Sequence, residues 1–174
     1  MLARNEMAWL PRPKPSGRDA PDRLDFKWES FESIIEEALP LLKRHYAELG
    51  LEGEPFDPNW RALFAMACQH RDLRIATARD DGRLVGYCAG LRVKYLASQE
   101  IKVIMVNAIY IEDTYRGSLI PIKIFLSMMR DFAREEGAVR LEMAPQGRHR
   151  KGIGRMLRYL GWAPSPDPAW VMEV

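Results

Sequence analysis

The chain has 174 residues, of which 47% are hydrophobic and 29% charged, the composition of a soluble globular protein with one ordinary domain. Its formal net charge of +2 is nearly neutral and does not indicate a general nucleic-acid binder. No apolar run reaches the roughly 18–20 residues that a membrane span requires, and the N-terminus lacks the apolar segment of a secretory signal, so we expect a cytoplasmic protein.

The two cysteines, Cys68 and Cys88, lie in apolar contexts and do not have the spacing of metal ligands. We interpret them as small buried residues of a reducing compartment. No metal cofactor is expected.

The first 28 residues differ in composition from the rest of the chain. Four prolines and scattered charges rule out a regular helix or a central strand, so residues 1–28 are predicted to form an extended arm. The alternative is a loosely ordered terminus. Residues 29–174 are predicted to form a single domain.

Two helices are predicted before the first strand. Apolar residues recur at three-four spacing between Ser30, a good N-cap, and Gly50, a natural C-terminal stop, and this pattern predicts the first helix. Pro40 is expected to kink or split that helix. The second helix is predicted at about 59–68.

Strands dominate the middle of the chain. Residues 73–78 and 84–93 flank a strong turn signal at Asp80–Arg83 and predict a hairpin. A third strand, 101–112, is apolar on both faces, which is typical of the middle of a covered sheet. A helix through about Arg134, a strand at 139–144, a short helix at roughly 152–160 and a strand at 169–174 complete the order α-α-β-β-β-α-β-α-β. This order predicts an α/β protein with a mixed sheet and helices on both faces.

The segment between the apolar third strand and the next helix, residues 115–121 (Tyr-Arg-Gly-Ser-Leu-Ile-Pro), predicts an anion-binding site. Unpaired N–H groups and the positive end of the helix dipole both favour an anion at a helix N-terminus. Pro121 suits the first helical turn, where its missing N–H costs nothing. An enzyme of this layout would hold a phosphate-bearing cofactor there.

Three local sequences, together with this element order, resemble the GCN5-related N-acetyltransferase family over roughly residues 34–174. Residues 111–117 (Ile-Glu-Asp-Thr-Tyr-Arg-Gly) are similar to the family's Val-x-Pro-x-Tyr-Arg-Gly at the end of the fourth strand. Residues 156–162 (Met-Leu-Arg-Tyr-Leu-Gly-Trp) are similar to its Leu-Tyr-x-x-Leu-Gly-Phe, and residues 81–87 match its Asp-Gly-x-x-Val-Gly hairpin. The loose form of these motifs resembles acetyltransferase-like proteins carried by bacteriophages, which would place the chain in the host cytoplasm.

The resemblance implies an acyl-CoA N-acyltransferase fold with acetyl-CoA as co-substrate, held in a cleft where the fourth and fifth strands separate. It assigns the pantetheine to the fourth strand and the pyrophosphate to the following turn and helix. The implied pantetheine contacts are Ala108, Ile109, Tyr110 and Ile111; those of the pyrophosphate are Arg116, Gly117, Ser118, Leu119, Ile120, Pro121 and Ile122, and Arg150 either lies near the 3′-phosphate or is solvated. Tyr110 either faces this cleft or is a core aromatic residue.

The chain departs from the family pattern at several of these positions. Leu119 and Pro121 stand where the family's Arg-x-x-Gly-x-Gly has glycines, which narrows the approach and removes one N–H donor. Leu157 replaces a frequent general-acid tyrosine, and Tyr159 is expected on a different helical face. A second glycine pair, at residues 152–154, either forms the phosphate loop or opens the last helix. The small number of residues that follow favours the helix.

Amine acetylation through a ternary complex requires a base for the ammonium proton and an acid for the thiolate. The candidate catalytic residues are Glu112 and Asp113, at the strand end, and Asn107, a polar residue in an apolar strand. Alternatively, Glu112 and Asp113 are acidic residues of the kind favoured near a helix N-terminus, without a catalytic role. Asn107 could instead make a structural hydrogen bond at a bulge. His45 and Glu48, on the first helix, either line the acceptor side or belong to a solvated helix end.

The sequence therefore favours an N-acetyltransferase acting on an amine of a small molecule or protein. Direct transfer is expected, because neither cysteine has a reactive setting. The rival is a catalytically degenerate protein of the same fold that binds a partner protein; the missing glycines and tyrosine favour it, whereas the retained Tyr-Arg-Gly and Gly-Trp sequences favour the enzyme. Nucleic-acid binding through basic residues within 148–158 is a weaker third interpretation. The arm and the final strand could mediate a homodimer.

Overall fold

The structure is a computed structural model and describes residues 23–50, 65, 69, 72–95, 98–144, 150–165 and 169–174. Within these residues the helices are α1 (Phe31–Leu49), α2 (Ile120–Glu135) and α3 (Arg150–Tyr159), and the strands are β1 (Leu24–Glu29), β2 (Leu73–Asp80), β3 (Arg83–Tyr95), β4 (Ser98–Ile111), β5 (Arg140–Met143), β6 (Ala163–Pro164) and β7 (Trp170–Glu173). The strands form one sheet in the order β1-β2-β3-β4-β5-β7-β6. Among the strand pairs of these described residues, β4–β5 is parallel and the other five are antiparallel. The predicted mixed α/β sheet is therefore confirmed.

Helix α1 begins and ends where its capping residues predict. The Ser33 N–H donates to the Ser30 side chain, and Gly50 closes the helix in the left-handed conformation with a φ of 81°. The helix is continuous through Pro40, which is exposed, rather than split there. None of the three described helices has the length and apolar character that a membrane crossing requires.

Strand β1 lies in the segment predicted as an extended arm. It contains no proline and alternates Leu24, Phe26 and Trp28 with charged residues, a pattern typical of an edge strand. It pairs antiparallel with β2, and the Phe26 ring packs edge-on against Phe125 at 5.2 Å between centroids. The C-terminal end of the predicted arm is thus part of the sheet; residues 1–22 and, apart from Ala65, the second predicted helix lie outside the described residues.

Two hydrophobic clusters flank the sheet. One contains the inner residues of α2 and α3, including the fully buried Phe125, Phe132 and Leu157. The other contains the buried residues of α1, such as Ile34 and Leu41. Strand β4 contributes to both clusters, as expected for a strand that is apolar on both faces. Because β4 is packed on both faces, the start of the turn that follows it is held in place.

Gly86 in β3 occupies a position that has no room for a side chain. A Cβ there would lie 2.8 Å from the main-chain oxygen of Tyr110 in β4. We expect Gly86→Ala to lower the free energy of unfolding by about 1–3 kcal/mol, since neither strand can yield without disturbing the sheet.

Urea denaturation would measure this effect, with Gly152→Ala in α3 as the control. A Cβ at Gly152 would meet nothing within 4 Å. Since alanine favours helix more than glycine does, this control should be neutral or stabilising by up to about 1 kcal/mol. Equal stability losses in the two variants would contradict the close approach of β3 and β4 at Gly86.

Candidate active site

A cleft opens where β4 and β5 part. The two strands pair at only three positions, from Val103↔Arg140 to Met105↔Glu142. Beyond Met105, β4 continues for six more residues, whereas β5 ends at Met143. Among the described residues no strand covers this edge of β4, so its main chain can bind an extended ligand. The resulting cleft has a volume of about 310 Å³.

Asn107 forms a bulge in β4 at the start of the cleft. Ala89 of β3 pairs with Ala108 and the next residue, Gly90, pairs with Val106, so Asn107 is the extra residue. Its side chain is exposed and lines the cleft. Asn107 is therefore both a bulge residue and a polar group of the cleft, as the two interpretations of the sequence proposed separately.

The cleft wall contains most of the positions predicted to contact acetyl-CoA. From β4, the following turn and α2 these are Asn107, Ala108, Ile109, Tyr110, Ile111, Arg116, Ser118, Leu119 and Ile122. Three predicted contacts, Gly117, Ile120 and Pro121, are not part of the wall. Arg150 is the first residue of α3, and its side chain lies outside the described part of the structure. The wall also includes His45, Glu48 and Leu49 of α1, Val106, Met143, Ala144, Ile153 and Met156.

The N-terminus of α2 has fewer free donors than a glycine-rich loop would have. The Ile120 N–H donates to the Ser118 side chain at 3.1 Å, and Pro121 has no N–H. Leu119 presents an apolar side chain to the cleft, with 39% of it exposed. The cleft is suited to the apolar and amide groups of a pantetheine. The N-terminus of α2, with fewer free N–H donors, is less well suited to a pyrophosphate.

Glu112 and Asp113, the predicted bases, point toward arginines and do not line the cleft. Glu112 is 7% exposed, and its carboxylate accepts from Arg44 at 3.0 Å and from Arg83 at 2.9 Å. Asp113 is largely exposed and pairs with Arg116 at 2.8 Å. Both carboxylates are therefore occupied by ion pairs.

The described cleft wall contains two titratable bases, Glu48, which is paired with Arg116, and His45. Its Nδ1 lies 2.8 Å from the Tyr87 hydroxyl, and its ring lies 5.2 Å from the ring of Tyr110. Burial is the largest influence on the pKa of His45 and lowers it. The charge of Glu48 raises this pKa, and the charge of Arg116 lowers it. The imidazole is therefore neutral near pH 7 and able to accept a proton. The interpretation of His45 as part of a solvated helix end is wrong, and its place in the apolar spacing of α1 was the signal for burial.

The described part of the structure has few other groups suited to proton or acyl transfer. Leu157, at the position of the family's tyrosine, is fully buried, while Tyr159 is 71% exposed. Tyr110 is the one tyrosine among the described residues of the cleft wall, and burial raises its pKa. Burial also raises the pKa of the Cys88 thiol, which is therefore a poor nucleophile. Cys68 lies outside the described residues.

The glycine pair at residues 152–154 belongs to α3, as the short remaining sequence favoured. A Cβ at Gly154 would lie 3.1 Å from the Trp170 ring, so this glycine allows α3 to pack closely on β7. It has a structural role in the fold.

No family model and no curated protein matches the sequence. Several solved structures are similar to this chain in fold. A predicted acetyltransferase with acetyl-CoA from Clostridium acetobutylicum is similar with a TM-score of 0.69 and 15% identity, over 83% of this chain and 92% of that chain. Ribosomal-protein-alanine N-acetyltransferase from Brucella melitensis biovar Abortus 2308 is similar with a TM-score of 0.61 and 22% identity, over 87% of this chain and 99% of that chain. AAC(6')-Iy in complex with a bisubstrate analogue, CoA-S-monomethyl-acetylneamine, is similar with a TM-score of 0.61 and 16% identity, over 79% of this chain and 89% of that chain. The chain therefore has the fold of the GCN5-related N-acetyltransferases.

Proposed function

We propose that the chain is an N-acetyltransferase that uses acetyl-CoA to acetylate an amine by direct transfer. The observation that carries this proposal is the cleft formed where β4 and β5 part, next to the bulge at Asn107. The free edge of β4 offers main-chain partners for the amides of a pantetheine arm. Apolar side chains of β4, β5 and α3 line the remainder of that path.

His45 is the proposed general base. When its Nδ1–H donates to the Tyr87 oxygen, Nε2 carries the lone pair that accepts the proton of the attacking amine. The N–C bond then forms as the C–S bond breaks. Burial holds Tyr110 protonated, so its hydroxyl can give a proton to the departing thiolate. A main-chain N–H near the bulge supplies the donor that polarises the thioester carbonyl.

The pyrophosphate is proposed to lie at the N-terminus of α2, beside the turn that leads into Ile120. The positive end of the helix dipole favours an anion there. Because Pro121 lacks an N–H and the Ile120 N–H is already bonded, we expect weaker acetyl-CoA binding than a glycine-rich loop would provide.

Two residues that flank β5, one alanine and one valine, provide a test of whether acetyl-CoA binds in the cleft. Ala144 is exposed and lines the cleft, whereas Val139, at the opposite end of β5, is exposed and does not. We expect Ala144→Trp to weaken acetyl-CoA binding by about 10-fold or more, because the indole would fill the space between β4 and β5. Val139→Trp should leave the affinity unchanged.

Isothermal titration calorimetry with acetyl-CoA would measure both affinities. Absence of binding to the unmodified chain at millimolar acetyl-CoA would overturn the proposal. Equal affinities for the two tryptophan variants would place the ligand elsewhere.

The acceptor is proposed to be an amine of a small molecule or a protein. Two of the similar structures bear names that point in these directions, one to ribosomal-protein alanine and one to an acetylneamine analogue. Release of free CoA thiol, measured with aminoglycosides and with unblocked and N-acetylated peptides, would separate the two classes. Acetyl-CoA binding without turnover of any amine would instead favour the catalytically degenerate binding protein.

A further inference from the structure

Arg116 occupies the position that the family resemblance assigns to the pyrophosphate, yet its side chain turns toward α1. Its Nε donates to the Ile111 carbonyl at 2.7 Å, and Nη2 donates to Glu48 at 2.9 Å. Its Nη1 lies 2.8 Å from Asp113. The guanidinium also stacks over the Tyr110 ring, with its carbon 5.0 Å from the ring centroid. All three nitrogens are therefore engaged within the protein.

These contacts connect three elements around the proposed base. Glu48 lies one helical turn beyond His45 on α1, so the Arg116–Glu48 pair fastens the end of this helix to the end of β4. The Tyr110 ring contacts both the Arg116 guanidinium and the His45 ring. A planar guanidinium can make all of these contacts at once, which a lysine ammonium cannot.

Among the described residues, the charged groups that act on His45 are Glu48 and Arg116. Helix α1 contributes Glu48, whereas Arg44 on the same helix is paired with Glu112. The sheet contributes the Tyr87 and Tyr110 hydroxyls, which are held neutral by burial. Arg116 is the cation that faces His45 from the turn after β4.

We propose that Arg116 is a positioning residue for His45, which orients the end of α1 and sets the local charge, and not a ligand of the pyrophosphate. The role of His45 in catalysis rests on the proposed function, but the contacts of Arg116 do not.

The first test is an NMR titration of the His45 ring in the full chain. The chain has three histidines, and the His45 signal is the one that His45→Gln removes. Arg116→Gln should raise the pKa of His45, because it removes a nearby cation and releases Glu48 from its ion pair. Glu48→Gln should lower that pKa, and Arg116→Lys should leave it close to its original value. Unfolding alone would also raise the pKa of His45, because it removes the burial that lowers it, so the decrease expected in Glu48→Gln is the result that a poorly folded variant cannot produce.

The second test compares acetyl-CoA affinity with turnover. We expect Arg116→Gln and Arg116→Lys to bind acetyl-CoA within about twofold of the original affinity but to lose about 10-fold or more in kcat, because the base is misplaced. An affinity loss of about 10-fold or more with an unchanged pKa of His45 would make Arg116 a phosphate ligand and overturn the inference. An unchanged pKa in both Arg116→Gln and Glu48→Gln would overturn it as well. If acetyl-CoA does not bind to the original chain, the proposed function fails, and the titration still decides the role of Arg116.

Discussion

His45→Gln should lower kcat by about 100- to 1,000-fold while leaving acetyl-CoA affinity nearly unchanged, because glutamine cannot accept the proton of the amine. The half-buried ring of His45 lies on the cleft wall, held by the Tyr87 hydroxyl. Stopped-flow or continuous thiol-release assays would give kcat, and calorimetry would give the affinity.

The pH dependence provides a second readout of the same residue. Burial lowers the pKa of His45, and the base must be unprotonated, so kcat/KM should be full above that pKa and fall as the pH drops through it. The acid limb should therefore lie below the ordinary histidine pKa of about 6.5. It should be absent from the residual activity of His45→Gln.

Tyr87→Phe is the matched control for the orientation of the ring. It keeps the aromatic stack with Tyr110, whose centroid lies 5.9 Å away, and removes only the hydroxyl partner of Nδ1. We expect a loss in kcat of about 10-fold, smaller than that of His45→Gln, since imidazole remains in place. Full activity in His45→Gln would assign the proton transfer to another group.

Phe125→Ala should lower the free energy of unfolding by about 3–5 kcal/mol, the largest loss in stability that we expect from a single side chain. Phe125 is fully buried on α2 and packs edge-on against Phe26 of β1. Its removal leaves a cavity beneath the sheet and removes the aromatic contact of Phe26. Equilibrium urea unfolding followed by far-UV circular dichroism would measure the change.

Val139→Ala is the control for this substitution. Val139 is 49% exposed, so its truncation should change stability by less than about 0.5 kcal/mol. If Phe125→Ala costs less than about 1 kcal/mol, α2 does not pack against the sheet as described.

The architecture was largely predictable because its signals are local. The caps of α1 follow from Ser30 and Gly50, and the β2–β3 turn follows from Asp81 and Gly82, which have φ angles of 48° and 81°. Strand β1 was missed because six residues of alternating pattern directly follow a proline-rich segment. Their pairing with β2 depends on contacts about fifty residues away in the chain, which periodicity does not reveal.

The site was less predictable than the fold, because it depends on the directions of side chains. The position of the cleft along β4 follows from sequence order, but the orientation of Glu112 does not. Two arginines from separate elements, Arg44 and Arg83, determine where that carboxylate points. Similarly, the burial of His45 follows from helical spacing, whereas its contact with Tyr87 requires the tertiary packing of α1 on β3.

The bulge at Asn107 divides β4 into two stretches with opposite alternation of side chains. Before it, Ile104 and Val106 join the cluster beneath α2; after it, Ile111 joins the same cluster, and the intervening Tyr110 faces α1. Deletion of this one residue would join the two stretches into an uninterrupted alternation, in which Ala108 and Tyr110 still face α1 and Ile111 still faces the cluster beneath α2. The bulge is therefore a position at which β4 can lose a residue without exchanging its faces, and a protein engineer could delete Asn107 to ask what the bulge contributes to the cleft.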